Sequence, residues 1–244
     1  MIDLKKDVKY VKGVGPNRVQ LLNKLGIFTL EDLITYYPRT YEDRSKPKSL
    51  LECVDGEEAL IEVIAISKMI ESKFSKKTMQ RLMVRDSSGS AEAVWFNQTY
   101  LKSKFRVGQR YRMYGKIERK YGKITIASPV FDEYGSTQNT GRIIPIYPLT
   151  YQLSQNTLRK VIENAMAEVY GNLPETLPQY VIKTSRLLGI NAAIKTIHFP
   201  QELEDFRTAR RRLVFEELLI TQLSLMSLKN RDILEEKGIK FSSE

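Results

Sequence analysis

The chain has 244 residues, 42% hydrophobic content and a formal net charge of +10, enough apolar material for one large core or two to three small ones. No run of eighteen apolar residues occurs, and the opening MIDLKKDVKYVKG carries acids and no apolar stretch; this argues against a helical membrane span and a secretory leader, and the expectation is a cytosolic protein. A single cysteine, Cys53, excludes an internal disulfide and reads as a small apolar filler, and with only one histidine, His198, no Cys/His zinc set can be assembled.

Residues 1–58 read as short helices. VGPNRVQLLNKLGI places Val19, Leu22 and Leu25 on one helical face, and TLEDLITYYP opens with a Thr cap and is stopped by Pro38. Gly13 and Gly15, followed at once by Pro16, form a turn over residues 12–18 like that of a helix-hairpin-helix. Two readings stand: the turn faces a DNA phosphate with support from Lys12 and Arg18, or the glycines only shape a tight αα corner that packs on the barrel. The stretch YPRTYEDR, Tyr37 to Arg44, carries no assigned contact.

The period changes over residues 59–135. ALIEVIAISKMI (59–70), KTMQRLMVRDSSG (77–89), AEAVWFN (91–97), QRYRMYGKIER (109–119) and GKITIASPVF (122–131) read as five strands. QTYLKSKFRVG between the third and fourth is long enough for a short helix or an ordered loop. Five strands with an insertion after the third match a Greek-key OB-fold barrel, so the fold class is α+β with helical segments on either side of the barrel. Residues 1–59 hold ten Lys/Arg against ten Asp/Glu, whereas residues 60–135 hold fifteen against seven, and residues 101–123 hold nine against the single acid Glu118. A local excess of this size attracts a polyanion, most commonly nucleic acid.

Trp95 and Phe96 are adjacent in the third strand, so the pleat sends one ring into the barrel and the other out. Tyr100 stands beside Phe96 if the chain turns helical there. Two rings flanked by Lys102, Lys104, Arg106, Arg110 and Arg112 make a stacking platform beside a phosphate track; the alternative is a mini-core beneath the insertion. Phe74, among Lys73, Lys76 and Lys77, is a candidate third ring.

Residues 136–244 are proline-punctuated (IIPIYPLT, NLPETLPQY, IHFPQE) and then helical. SQNTLRKVIENAMAEVY is a helix capped by Ser154, and a second runs from about Glu202 to Asn230. Its stretch LVFEELLITQLSLMSL is apolar almost all round, so it lies against another body, either inside this chain or a partner the chain lacks. YGKIERKYGKI is not a phosphate loop, and G-x-x-x-x-G-K-[ST] occurs nowhere. No nucleophile or metal constellation is present; Glu57/Glu58 and Asp132/Glu133 read as solvated loop acids, and His198 as a turn or packing residue.

The segments KGVGPNRVQLLNKLGIFTLEDLITYYPRTYEDRS (12–45), VWFNQTYLKSKFRVGQRYRMYGK (94–116), IIPIYPLTYQLSQNTLRKVI (143–162) and IHFPQELEDFRTARRRLVFEELL (197–219) together resemble the N-terminal wedge and linker of the RecG family of bacterial DNA helicases. The resemblance covers essentially the whole chain. It implies an OB-fold wedge that docks on the branch point of a replication fork or Holliday junction, with Phe96 and Tyr100 matching the aromatic pair that caps the parting bases. It further implies a cytoplasmic, nucleoid-associated monomer with no cofactor of its own. ATP and Mg belong to motor domains, which this sequence lacks, so no ATPase activity is expected of it. Lys102, Lys104, Arg106, Arg110, Arg112 and Lys116 would then hold the strands by their phosphates. Rival readings are a general single-strand-binding OB module and a structural adaptor that recruits a protein through its apolar helix; a hydrolase is disfavoured by the missing catalytic sets.

Overall fold

Leu22, Leu30 and Leu33 are withdrawn from water completely, and what covers them arrives from more than a hundred residues later in the chain. The computed structural model describes residues 2–74 and 77–235, and these form two units: the first 38 residues with the chain from Tyr147 onward, and Arg39–Ile146.

In the first unit, α1 (Pro16–Asn23) starts on Pro16 behind Gly15. Helix α2 (Leu30–Ile34) is closed by a capping box between Thr29 and Asp32. Helix α3 (Gln155–Val169), capped by Ser154, buries Leu158, Val161, Ile162, Ala165, Met166 and Val169 as one stripe against α1 and α2. Short α4 (Gln179–Thr184) and α5 (Ile190–His198) lead to the long α6 (Leu203–Glu235). Helix α6 packs on α5 through its first half. There the fully buried Arg212 ion-pairs with Glu175 at 2.7 Å and with Glu216 at 2.6 Å. Further along, Leu218, Ile220, Leu223, Leu225, Met226 and Leu228 are all exposed. Among the described residues, no helix is long and apolar enough to cross a membrane.

The second unit is all β: β1 (Thr40–Arg44), β2 (Pro47–Lys48), β3 (Glu58–Ala65), β4 (Ile70–Phe74), β5 (Lys77–Arg85), β6 (Ser90–Phe96), β7 (Arg110–Lys120), β8 (Lys123–Glu133) and β9 (Arg142–Ile146). Strands β3, β7, β8, β6 and β5 pair in that order and β5 returns to β3, closing a five-stranded ring in which only β6 and β8 are parallel. This is the OB-fold barrel. Its core holds Ile61, Val63, Leu82, Val84, Ala91, Ala93, Trp95, Tyr111, Met113, Ile117 and Ile126.

The expected strand over 59–70 is broken. Ala65 pairs with Val84 and Ile70 with Arg81, so four residues face two, and the Ser67 hydroxyl accepts the amide of Met83 at 3.1 Å inside the kink. Gly115 sits at a second irregularity, where a Cβ would lie 3.0 Å from the Cα of Pro129.

The three-way division at 58/59 and 135/136 does not coincide with these two units. The stretch left without a contact, Tyr37 to Arg44, runs into β1, which pairs antiparallel with β9 from Thr40↔Ile146 to Arg44↔Arg142. Arg44 lies over the Tyr114 ring of β7 at 4.5 Å, fixing this ribbon to the barrel. Local periodicity carries no signal for a pairing so distant in sequence. Asp132 is likewise no solvated loop acid: it is buried in β8, and its carboxylate accepts from the amides of Asn139 (2.7 Å) and Thr140 (2.8 Å) and from the Thr140 hydroxyl. Glu57 is ion-paired with Lys48 at 2.6 Å.

His198 is fully buried in the first unit. Its Nε2–H donates to the Ile34 carbonyl at 2.8 Å, which leaves Nδ1 to accept from the Tyr147 hydroxyl at 2.8 Å. Burial lowers its pKa from 6.5 to about 4, against a smaller upward pull from the Ile34 carbonyl. The unfolded chain therefore takes up the proton first as pH falls, and stability is lost through the window from 6.5 down to about 4. Urea unfolding of this unit is expected to lose about 2 kcal/mol between about pH 7.5 and about pH 5, and His198→Gln to flatten that slope. An unchanged slope in the variant assigns the pH dependence to other groups.

Candidate nucleic-acid interface

The pleat of β6 separates its two adjacent rings. Trp95 turns inward with Ala91 and Ala93 and is 1% exposed; Phe96 turns outward and is 52% exposed. The indole Nε1–H donates to the Pro129 carbonyl at 2.8 Å. Phe105 packs on Trp95 at 5.3 Å, on Tyr111 at 4.8 Å and on Phe131 at 4.4 Å between ring centroids. Trp95 is thus a core residue and leaves the set of candidate DNA contacts. The alternative, a mini-core of these rings beneath the insertion, does not hold: Phe96 and Tyr100 are exposed, and Leu101 and Phe105 pack on the barrel core instead.

After Phe96 the chain does not turn directly into a helix. Asn97 takes a left-handed conformation (φ 56°), its side-chain oxygen accepts the Thr78 amide at 3.0 Å, and its own amide donates to the Thr78 carbonyl at 2.8 Å. The Gln98 amide donates to the buried Gln80 side chain at 3.0 Å. A short 3₁₀ turn over Thr99–Ser103 follows, with Tyr100 exposed and Leu101 plugged into the barrel. Phe96 and Tyr100 therefore flank a corner pinned to β5, not one helical face as the four-residue spacing predicts.

Lys102, Lys104, Arg106 and Arg110 are exposed around this end of the barrel, and among the described residues none of the four makes an ion pair. The loop that carries them is held from below. The Tyr111 hydroxyl accepts the Arg106 amide at 2.8 Å and donates to the Lys104 carbonyl at 3.3 Å. Tyr111 is the positioning residue that sequence reasoning missed; the signal available was a tyrosine on the inward phase of β7.

One residue of the expected phosphate track is taken up within the barrel. Arg112 is half-buried, ion-paired with Glu62 at 2.8 Å, and lies over Tyr134 at 5.2 Å. A side chain on Gly141 would meet its guanidinium at 2.7 Å, so Arg112 serves the barrel wall. Lys116 is exposed; it pairs with Glu58 on β3 and with Ala127 on β8, which is itself paired with Val94, two residues before Phe96. Lys77 is exposed and pairs in register with Phe74; Lys76 and the Phe74 side chain lie outside the described residues.

Gly13 and Gly15 belong to the other unit. Gly13 has φ 91°, its carbonyl accepts from Arg18, and the Asn164 side chain of α3 donates to the Lys12 carbonyl at 2.7 Å. The corner packs on α3 and occupies Arg18 internally.

With this geometry in place, the comparisons with known proteins are decisive. The RecG wedge domain family matches residues 7–169. The chain belongs to the RecG wedge domain family. It is 34% identical to the ATP-dependent DNA helicase RecG of Thermotoga maritima over 93% of this chain and 30% of that protein. It is 30% identical to RecG of Streptococcus pneumoniae over 98% of this chain and 35% of that protein. Among solved structures, RecG bound to a three-way DNA junction superposes over the whole chain with a TM-score of 0.85 at 31% identity, covering 36% of that chain. The chain thus spans about a third of the length of these RecG relatives.

Tyr111→Phe is expected to cost about 1–3 kcal/mol in urea unfolding, because a part-buried amide and carbonyl lose their shared partner. It should also speed hydrogen exchange at the Arg106 amide. Unchanged exchange there assigns the loop's order to Leu101 and Phe105 alone.

Proposed function

We propose that this chain is the strand-splitting wedge of a RecG-type DNA helicase, binding replication forks and Holliday junctions at the branch point. The observation that carries the reading is the pair of exposed rings, Phe96 and Tyr100, at a barrel end surrounded by Lys102, Lys104, Arg106 and Arg110. The relative solved with a three-way junction supports it.

The rings stack on the last base pairs of the duplex arms, and the four cations hold the parting strands by their phosphates. Opening one base-pair step costs about 1.4 kcal/mol, and a base stacked on an aromatic ring recovers roughly 1–3 kcal/mol. Two rings therefore offset the loss at the junction itself. Opening further pairs requires work from elsewhere, which this reading assigns to ATP- and Mg-dependent motor domains. The exposed apolar face of α6, Leu218 to Leu228, is where such domains would pack. Stacking and phosphate contact ignore base identity, so binding follows DNA structure and not sequence. The setting that fits is bacterial cytoplasmic fork reversal, recombination and repair, with the chain acting as a monomer.

Anisotropy titrations with a three-way fork, a linear duplex and a single strand of equal length test this. The fork is expected to bind most tightly, and Phe96→Ala/Tyr100→Ala to lose most of that preference. With four phosphates neutralised, the log-log salt slope is expected near about −3 to −4. Equal affinity for all three DNAs overturns the junction reading, and tighter binding of the free strand favours a general single-strand module.

A further inference from the structure

The hairpin joining β7 to β8 is built against its own stability. Lys120 and Lys123 are directly opposite each other in the register, a like-charge cross-strand pair that weakens a hairpin. The two residues between them, Tyr121 and Gly122, have φ 50° and 74°. Two consecutive left-handed residues make the type I′ turn, which favours Asn-Gly or Asp-Gly. Tyrosine in that conformation is an outlier, and an outlier of this kind marks a functional site more often than an ordinary one. Tyr121 gains nothing inside the fold in return, since its side chain is wholly exposed.

The stem beneath this tip is held firmly. The Arg119 side chain donates to the carbonyls of Leu50 (2.6 Å) and Leu51 (2.9 Å), and the Arg119 amide donates to Asp55 at 2.7 Å. The Gly56 amide donates to the Ile117 carbonyl at 2.8 Å. Glu118, 3.6 Å from Lys120, offsets part of one charge, yet residues 116–123 still carry four cations against that one acid. A ring with two flanking lysines on a rigid stem is a pre-organised base-stacking element.

Register places it at the barrel end opposite the platform. Strands β6 and β8 run parallel with Glu92 beside Thr125, so Lys123 lies level with Ser90 while Phe96 closes the other end of β6. Six residues of strand separate them, about 20 Å at ~3.3 Å per residue. We propose that Tyr121 stacks on a base of the single strand leaving the junction, with Lys120 and Lys123 on its phosphates, as a second contact downstream of Phe96 and Tyr100. A single strand is the fitting ligand because a protruding ring needs an open base face, which an intact duplex does not present along its length. This contact rests on the junction-binding reading above.

The test uses forks whose single-stranded tail is either about 2 or about 12 nucleotides, lengths below and within the usual reach of an OB-fold. Tyr121→Ala is expected to weaken binding of the long-tailed fork roughly tenfold and to leave the short-tailed fork unchanged. Tyr121→Asn, which suits the turn better, should lose the same binding without loss of folding stability. Lys120→Ala/Lys123→Ala should reduce the salt slope by about 1.4 on the long tail only, at roughly 0.7 per single-strand phosphate. Phe96→Ala/Tyr100→Ala should weaken both forks. If Tyr121→Ala binds both forks as the native chain does, or weakens both equally, the hairpin contact is overturned while the platform stands. If the Tyr121 variants lose only the long-tailed fork but the Phe96/Tyr100 variant loses neither, the platform falls and the hairpin stands.

Discussion

The pleat of β6, locked by one hydrogen bond, sets everything at the working end of the barrel. Trp95 and Phe96 are neighbours, and only one can face inward. The choice is fixed by the Pro129 carbonyl, which accepts the indole N–H at 2.8 Å. That carbonyl is available because Ser128 takes a left-handed conformation (φ 45°) just before it and breaks the even course of β8. Opposite, Gly115 lets β7 pass close to Pro129, where a Cβ would come to 3.0 Å from the Pro129 Cα. Proline costs little at such a position, since the irregular strand has no ladder bond for a missing N–H to forfeit. With Trp95 in place, Phe105, Tyr111 and Phe131 pack around it and the basic loop rests on the Tyr111 hydroxyl. The exposed rings thereby stand on a rigid base, which stacking recognition requires.

Much of this was legible in the sequence, and the rest was hidden for identifiable reasons. Alternation exposes the strands: in β7, Tyr111 and Met113 are buried while Arg110 and Lys116 are exposed. Alternation does not give the phase of an aromatic pair, because the Pro129 carbonyl that decides it lies more than thirty residues away. The same distance hid the role of Arg112, whose charge is taken up by Glu62 on β3. The kink at residues 66–69 was invisible because Ile66 and Met69 continue the apolar run of β3 while the pairing slips. Asp132 looked like a solvent acid only because nothing local reveals that Asn139 and Thr140 turn back onto it.

The long C-terminal helix shows a similar division between local and distant information. Its overall apolar character was plain, but where the helix is tied down was not. Arg212, the last of three consecutive arginines, is fully buried and bridges Glu175 and Glu216. A buried guanidinium with two carboxylates fixes the geometry of a contact more than it adds stability. The anchored half ends there, and among the described residues the apolar side chains from Leu218 to Leu228 are exposed.

The antiparallel pairing of β1 with β9 makes the barrel an insertion, entered and left through adjacent strands. That topology governs the order of events on the ribosome. The barrel has all its strands once Ile146 emerges, whereas α1 and α2 emerge first and then wait for α3 to cover Leu22, Leu30 and Leu33. At about 5–20 residues per second, roughly a hundred intervening residues impose a delay of about 5–20 s. Throughout that delay the nascent N-terminal helices expose leucines, so this short segment, rather than the barrel, is where a chaperone would first be needed.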